Sequence, residues 1–191
     1  MGTSETIEWV SGSQRRVDVL SALSQPLTPN QLSKRIGLSR DACSYIAWEL
    51  VVYGVVRCLN NRAQRCRVYG LTPKGIRCRR KLYPAIKNAH REYMEPDIDW
   101  HLYGSVCHRH RAAVMKAFTD IMQPAEVKRA ITRRGGMRIS GNNVRDVVRY
   151  FRSKGLVTPI RVRRRIHLRY RLSESGGIMR ELLLRAEATQ W

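Results

Sequence analysis

The chain has 191 residues, 43% of them hydrophobic, and a net charge of +21 from 36 Lys+Arg against 15 Asp+Glu. That length and apolar fraction allow a packed core in one domain or two small ones, while the absence of any run of about 18 apolar residues leaves nothing to span a bilayer. The start "MGTSETIEWVSGSQRR" lacks a basic stretch leading into an apolar segment, so no secretory leader is expected.

In chain order, "SQRRVDVLSALS" (Ser13–Ser24) reads as an amphipathic helix with Val17, Leu20 and Leu23 inward. Thr28 caps a short helix with Pro29 at its first position, "TPNQLSKRIG", closed by Gly37. Ser39 caps a third helix that runs to Gly54. Two strands follow, "VVRCL" and "CRVYGL", around the turn "NNRAQR", and "TPKGIRCRRKL" opens another helix at Thr72. The span 83–105, rich in Tyr, Trp and Ile, is expected to be ordered rather than a flexible tether, with a helix near 84–94 and a turn at Glu95-Pro96-Asp97. Helices are then expected near 107–122, 124–133 and 140–154, a hairpin over 156–172, and a last helix from Ser173 to about Glu187.

The chain repeats itself. Adding 101 maps Ser39 to Ser140, Gly54 to Gly155, Val56 to Val157, Tyr69 to Tyr170, Leu71 to Leu172 and Gly75 to Gly176. Upstream the shift is 95, taking Pro29 to Pro124, Leu32 to Val127 and Ile36 to Ile131, so "TRRGGMR" holds a six-residue insertion. Two copies of one module follow from this, with domains expected at 1–82 and 106–191 and an ordered linker over 83–105.

"GLSRDACSYIAWELVVYGVV" and "VYGLTPKG" resemble the short helix, recognition helix, return strand and following helix start of winged helix-turn-helix regulators of the ArsR and MarR type. The resemblance covers about 70 residues of each half, more loosely in the second, where "YRLSESG" stands for "YGLTPKG". It implies a mainly α fold with small β-hairpin wings, an α+β class, as a tandem winged helix-turn-helix. It also implies recognition helices in the major groove and wings on phosphate or the minor groove.

Charge agrees with that implication. Residues 1–95 hold 16 basic and 7 acidic side chains and 96–191 hold 20 and 8, so the excess lies in both halves rather than in a tail. Of the basic residues 29 are arginine, whose planar fork matches phosphate and guanine. Such a balance points to nucleic acid before an anionic membrane or an acidic protein.

On the first third helix, Cys43, Ala47 and Leu50 should face the core, leaving Arg40, Asp41, Ser44, Tyr45 and Trp48 outward for DNA. On its counterpart Val144, Val148 and Phe151 should be inward, with Asn142 suited to adenine and Arg145 and Arg149 to guanine. Trp48 is equally suited to packing on a neighbouring domain, and were only one module to read DNA, Trp48 and Tyr45 would be the first candidates for a protein-facing surface. Arg62, Arg65 and Arg67 belong to the first hairpin; Arg161, Arg163, Arg164, Arg165 and Arg169 belong to the second. In "IRVRRRIHLRYRLS" the alternation of Ile166, Leu168, Tyr170 and Leu172 against His167, Arg169 and Arg171 marks a folded strand rather than a basic arm.

No phosphate-binding glycine loop, HExxH or paired carboxylates are present, so no enzyme activity and no cofactor are expected. Five cysteines without a CxxC pair suit reduced thiols in a cytoplasm, and "CHRHR" (Cys107–Arg111) is too sparse for a zinc site, so no metal is expected. The expected role is sequence-specific binding of double-stranded DNA by a nucleoid-associated transcriptional regulator. The rivals are a plasmid- or phage-type replication initiator and an architectural or segregation scaffold. The expected partner is DNA and not membrane, with a homodimer or other protein contact through 83–105.

Overall fold

The computed structural model describes residues 2–84, 98–133, 137–160 and 168–188. Among the described residues the chain is mainly helical with two small antiparallel hairpins, an α+β architecture. It divides into one unit through Gly104 and a second over Ser105–Ala188. The first contains α1 (Thr3–Ser11), α2 (Gln14–Ala22), α3 (Pro29–Ile36), α4 (Arg40–Val52), β1 (Val56–Cys58), β2 (Tyr69–Leu71) and α5 (Pro73–Leu82). The division falls inside α6 (Trp100–Val106). The second unit contains α7 (Arg109–Ala117), α8 (Pro124–Arg133), α9 (Gly141–Ser153), β3 (Val157–Ile160), β4 (Arg169–Leu172) and α10 (Glu174–Glu187).

Local chemistry sets the helix ends. Thr28 Oγ1 accepts the Gln31 amide while the Gln31 side chain accepts the Thr28 amide at 2.8 Å, a reciprocal cap on α3. Gly37, at φ +74, closes that helix in the left-handed region. Ser39 Oγ accepts from Ala42 and Ser140 Oγ from Asn143, each at 3.1 Å, so α4 and α9 begin identically.

Each unit has its own core. Val19, Leu20, Leu32, Cys43, Ala47 and Leu50 are fully buried in the first, and Val114, Met115, Val127, Val144 and Phe151 in the second. Each large apolar side chain so buried contributes roughly 1.5–3 kcal/mol relative to an exposed one.

The hairpin base is built twice in matching detail. Gly54 (φ +67) and Gly155 (φ +68) turn the chain out of α4 and α9. The next amide returns to the helix, Val55 to Leu50 O at 2.9 Å and Leu156 to Phe151 O at 2.8 Å. Val56 pairs with Leu71, and Val157 with Leu172. The Thr72 amide donates to Val55 O and the Ser173 amide to Leu156 O, both at 3.0 Å. A further bridge joins Leu27 to Tyr69 in one unit and Met122 to Tyr170 in the other, so the 95 and 101 shifts both hold.

Several expectations are corrected. Two helices, α1 and α6, were not anticipated. The sequence of α1 gives little period, and tertiary contact holds it: Thr6 and Val10 are fully buried, and Trp9 stacks on Tyr53 with ring centroids 3.6 Å apart. Helix α7 spans Arg109–Ala117 rather than 107–122, because His108 and Phe118 both take extended backbone at its ends. In α2 Val19 is fully buried and Val17 only partly, a rotation of the expected face. The strands are shorter than expected, since Asn60 replaces strand pairing at the first hairpin's far end. The helix near 84–94, the turn at Glu95–Asp97 and the hairpin centre 161–167 lie outside the described residues, apart from Pro84.

Candidate nucleic-acid interface

Helix α9 presents the polar face that its period predicted. Val144, Val148 and Phe151 are buried with Val147, while Asn142, Arg145, Asp146 and Arg149 are exposed and together line a polar groove. Arg145 donates to Asn142 Oδ1 at 2.7 Å, and Arg149 to Asp146 Oδ1 at 2.9 Å. Both forks therefore lie along the helix, held by i,i+3 partners. At this exposure such pairs contribute little, about 0–1 kcal/mol, and open readily to a stronger acceptor.

Helix α4 has the same backbone and a different surface. Cys43, Ala47 and Leu50 are buried as expected, joined by Ile46. Outward are Arg40, Asp41, Tyr45 and Trp48, with Ser44 half-buried. Arg40 closes on the adjacent Asp41 at 3.1 Å, and Glu49 receives Arg16 from α2 at 3.4 Å. The same Arg16 guanidinium lies over Trp9, 3.9 Å from the ring centroid.

The first hairpin has a defined tip. Asn60 is fully buried; its Oδ1 accepts the Val68 amide at 2.7 Å and its Nδ2 donates to Cys66 O at 3.1 Å. Cys66 takes φ +51 to make that geometry. Gly104 of α6 packs on this turn, where any added side chain would strike the Asn60 amide. The neighbouring Tyr103 is fully buried and accepts from Gln31 at 3.2 Å. Tyr103 and Gly104 of the 83–105 span thus pack within the first unit. Outside that framework Arg62, Arg65 and Arg67 are exposed, Arg67 steadied by a bond from Nε to Ala63 O at 3.1 Å.

In the second hairpin only Arg169 of the expected contacts falls among the described residues. It is half-buried and paired with Glu126 of α8 at 3.4 Å, which fixes its direction. Arg161, Arg163, Arg164 and Arg165 lie outside them. Sequence reasoning missed the Arg111 guanidinium, which sits 3.8 Å above the Tyr150 ring and donates to Ser105 O at 3.1 Å. Nothing at sequence level signals a contact between side chains 39 residues apart.

Burial pushes the thiols of Cys43 and Cys78 above their ordinary value, so they are neutral apolar groups near pH 7. No group of three or more His, Cys, Asp or Glu that would hold a metal gathers among the described residues. No described helix is long and apolar enough to cross a membrane. No family model, curated protein or solved structure matches this chain, so its functional reading rests on the surfaces just described.

Proposed function

We propose that the chain is a tandem winged helix-turn-helix protein that binds double-stranded DNA in a sequence-specific way, as a transcriptional regulator. The observation that carries this reading is the outer face of α9. There Asn142 and Arg145 stand exposed in the first turns of a capped helix and Arg149 one turn further along, on a chain of net charge +21. An exposed helix of this kind enters a major groove with its first turns nearest the base edges. Arginine forks match guanine, and asparagine matches adenine.

In the free protein the arginines are parked on Asn142 and Asp146. Docking then exchanges weak surface pairs for bidentate contacts with bases, which are worth about 1–3 kcal/mol of discrimination each. The arginines of the hairpins, Arg62, Arg65 and Arg67 in one module and Arg161, Arg163, Arg164, Arg165 and Arg169 in the other, serve the backbone and minor groove, where arginine is drawn to the narrow-groove potential.

Binding to a duplex measured against salt concentration tests this. Neutralising about 6–10 phosphates gives a slope of log affinity on log salt of roughly −5 to −9, and a slope near −2 would sink the reading. Selection from random duplexes returns a defined motif for a regulator and none for a scaffold that reads only backbone.

A further inference from the structure

Three exposed apolar side chains on α4 have no equivalent on α9. Tyr45, Trp48 and Val52 are 61%, 55% and 62% exposed, and their spacing of three and four sets them in one stripe along the helix. Single apolar side chains on a surface need no explanation, whereas a contiguous stripe marks a contact. At the matching positions the second module has Asp146, Arg149 and Ser153.

Charge narrows what covers the stripe. Helix α4 carries one arginine against two carboxylates, Asp41 and Glu49. The helix thus carries one more negative than positive side chain. The helix therefore offers no positive surplus to a phosphate backbone or to an acidic partner. We propose that this stripe is where two copies of the chain meet, α4 crossing the α4 of a second copy about a two-fold axis.

Electrostatics and area both favour a second copy. Chains of net charge +21 repel one another, and α4, with one arginine against two carboxylates, lacks that excess. Whole aromatic side chains carry roughly 150–250 Å². At the exposures above, the three residues offer roughly 350 Å² on each copy, or about 700 Å² together. An interface about 60% apolar then spans roughly 1,200 Å² in total, the lower end for a specific complex. A two-fold contact needs a patch that complements itself. Trp48 lies between the other two, so an antiparallel crossing sets Trp48 against Trp48 of the second copy and Tyr45 against its Val52. Combined with the proposed reading by α9, one particle carries two identical reading helices and its DNA site is palindromic.

The test is sedimentation equilibrium of the full chain without DNA, so its outcome is independent of the DNA-binding reading. The expected result is a monomer–dimer equilibrium with a dissociation constant of roughly 1–100 µM. Trp48→Glu, at an exposed position, should weaken it by at least about 30-fold with an unchanged circular dichroism spectrum and melting temperature. Should that variant misfold, the double variant Tyr45→Ser/Val52→Ser replaces it and should weaken the dimer by about tenfold. A wild-type chain that stays monomeric through this range overturns the proposal, as does a dimer untouched by the substitutions. A monomeric wild type whose Trp48→Glu variant loses affinity for duplex or single-stranded DNA would assign the stripe to nucleic acid instead.

Discussion

Helices α4 and α9 start on the same serine cap, end at the same left-handed glycine and return to the core through the same carbonyl. One exposes Tyr45, Trp48 and Val52, the other Asn142, Arg145 and Arg149. Their inner faces answer to packing and stay alike, while their outer faces differ. Equivalence of backbone is therefore no argument for equivalence of role: on the readings proposed above, one face reads bases and the other joins two copies.

The severest way to test the shared scaffold is at Gly75 and Gly176. A methyl group at either would fall inside a backbone carbonyl, Val55 O or Leu156 O, which the hairpin base holds in place. Gly75→Ala and Gly176→Ala should each cost about 2–4 kcal/mol in denaturant unfolding. A large cost in only one module would break the equivalence of the two hairpin bases.

The divergent outer faces separate next. Arg145→Ala and Arg149→Ala should each cost about 1–3 kcal/mol on the preferred duplex and much less on random DNA, whereas Arg40→Ala should cost under about 0.5 kcal/mol on either. Competition titrations with the two kinds of duplex measure this. Equal losses on both duplexes for the α9 variants would move those arginines to phosphates. A large loss for Arg40 would return α4 to the groove.

The smallest effect concerns the cores. Cys43 and Cys78 correspond to Val144 and Met179, all four buried, so the thiols occupy apolar positions. Burial raises their pKa, so the neutral thiol is the form that the fold favours. Their contribution to stability is complete below the unfolded value of 9.0 and is lost as pH rises through the higher folded values. Alkylation of the native protein at pH 8 should modify the partly exposed Cys58, Cys66 and Cys107 well before Cys43 and Cys78, as peptide mapping would show. Early labelling of Cys43 would mean that the first core opens more readily than its valine-bearing counterpart.

Much of the fold was legible because it is written in local chemistry. The caps at Thr28, Ser39, Ser140 and Ser173, the glycines at 37, 54 and 155, and the apolar periods of α4 and α9 each act within a few residues. Long-range contact decided the remainder. Helix α1 depends on the contacts of Trp9 with Tyr53 and Arg16, and the first hairpin's tip depends on a buried Asn60 that composition places in a loop. Of the candidate site, the outward faces of both helices were readable from period alone. Which arginines are already engaged was not, since the Arg169–Glu126 pair joins residues 43 positions apart.

The hairpin base also bears on where the two copies can differ. Val55 O accepts both the Thr72 amide and its hydroxyl and sits against Gly75, so the chain leaving α4 and the chain entering α5 are pinned to one peptide group. Beyond that clamp the first hairpin is organised by its own buried residue, Asn60. Where one copy has Asn60, the other has Arg161. The shared base therefore supports two hairpins whose sequences differ beyond it.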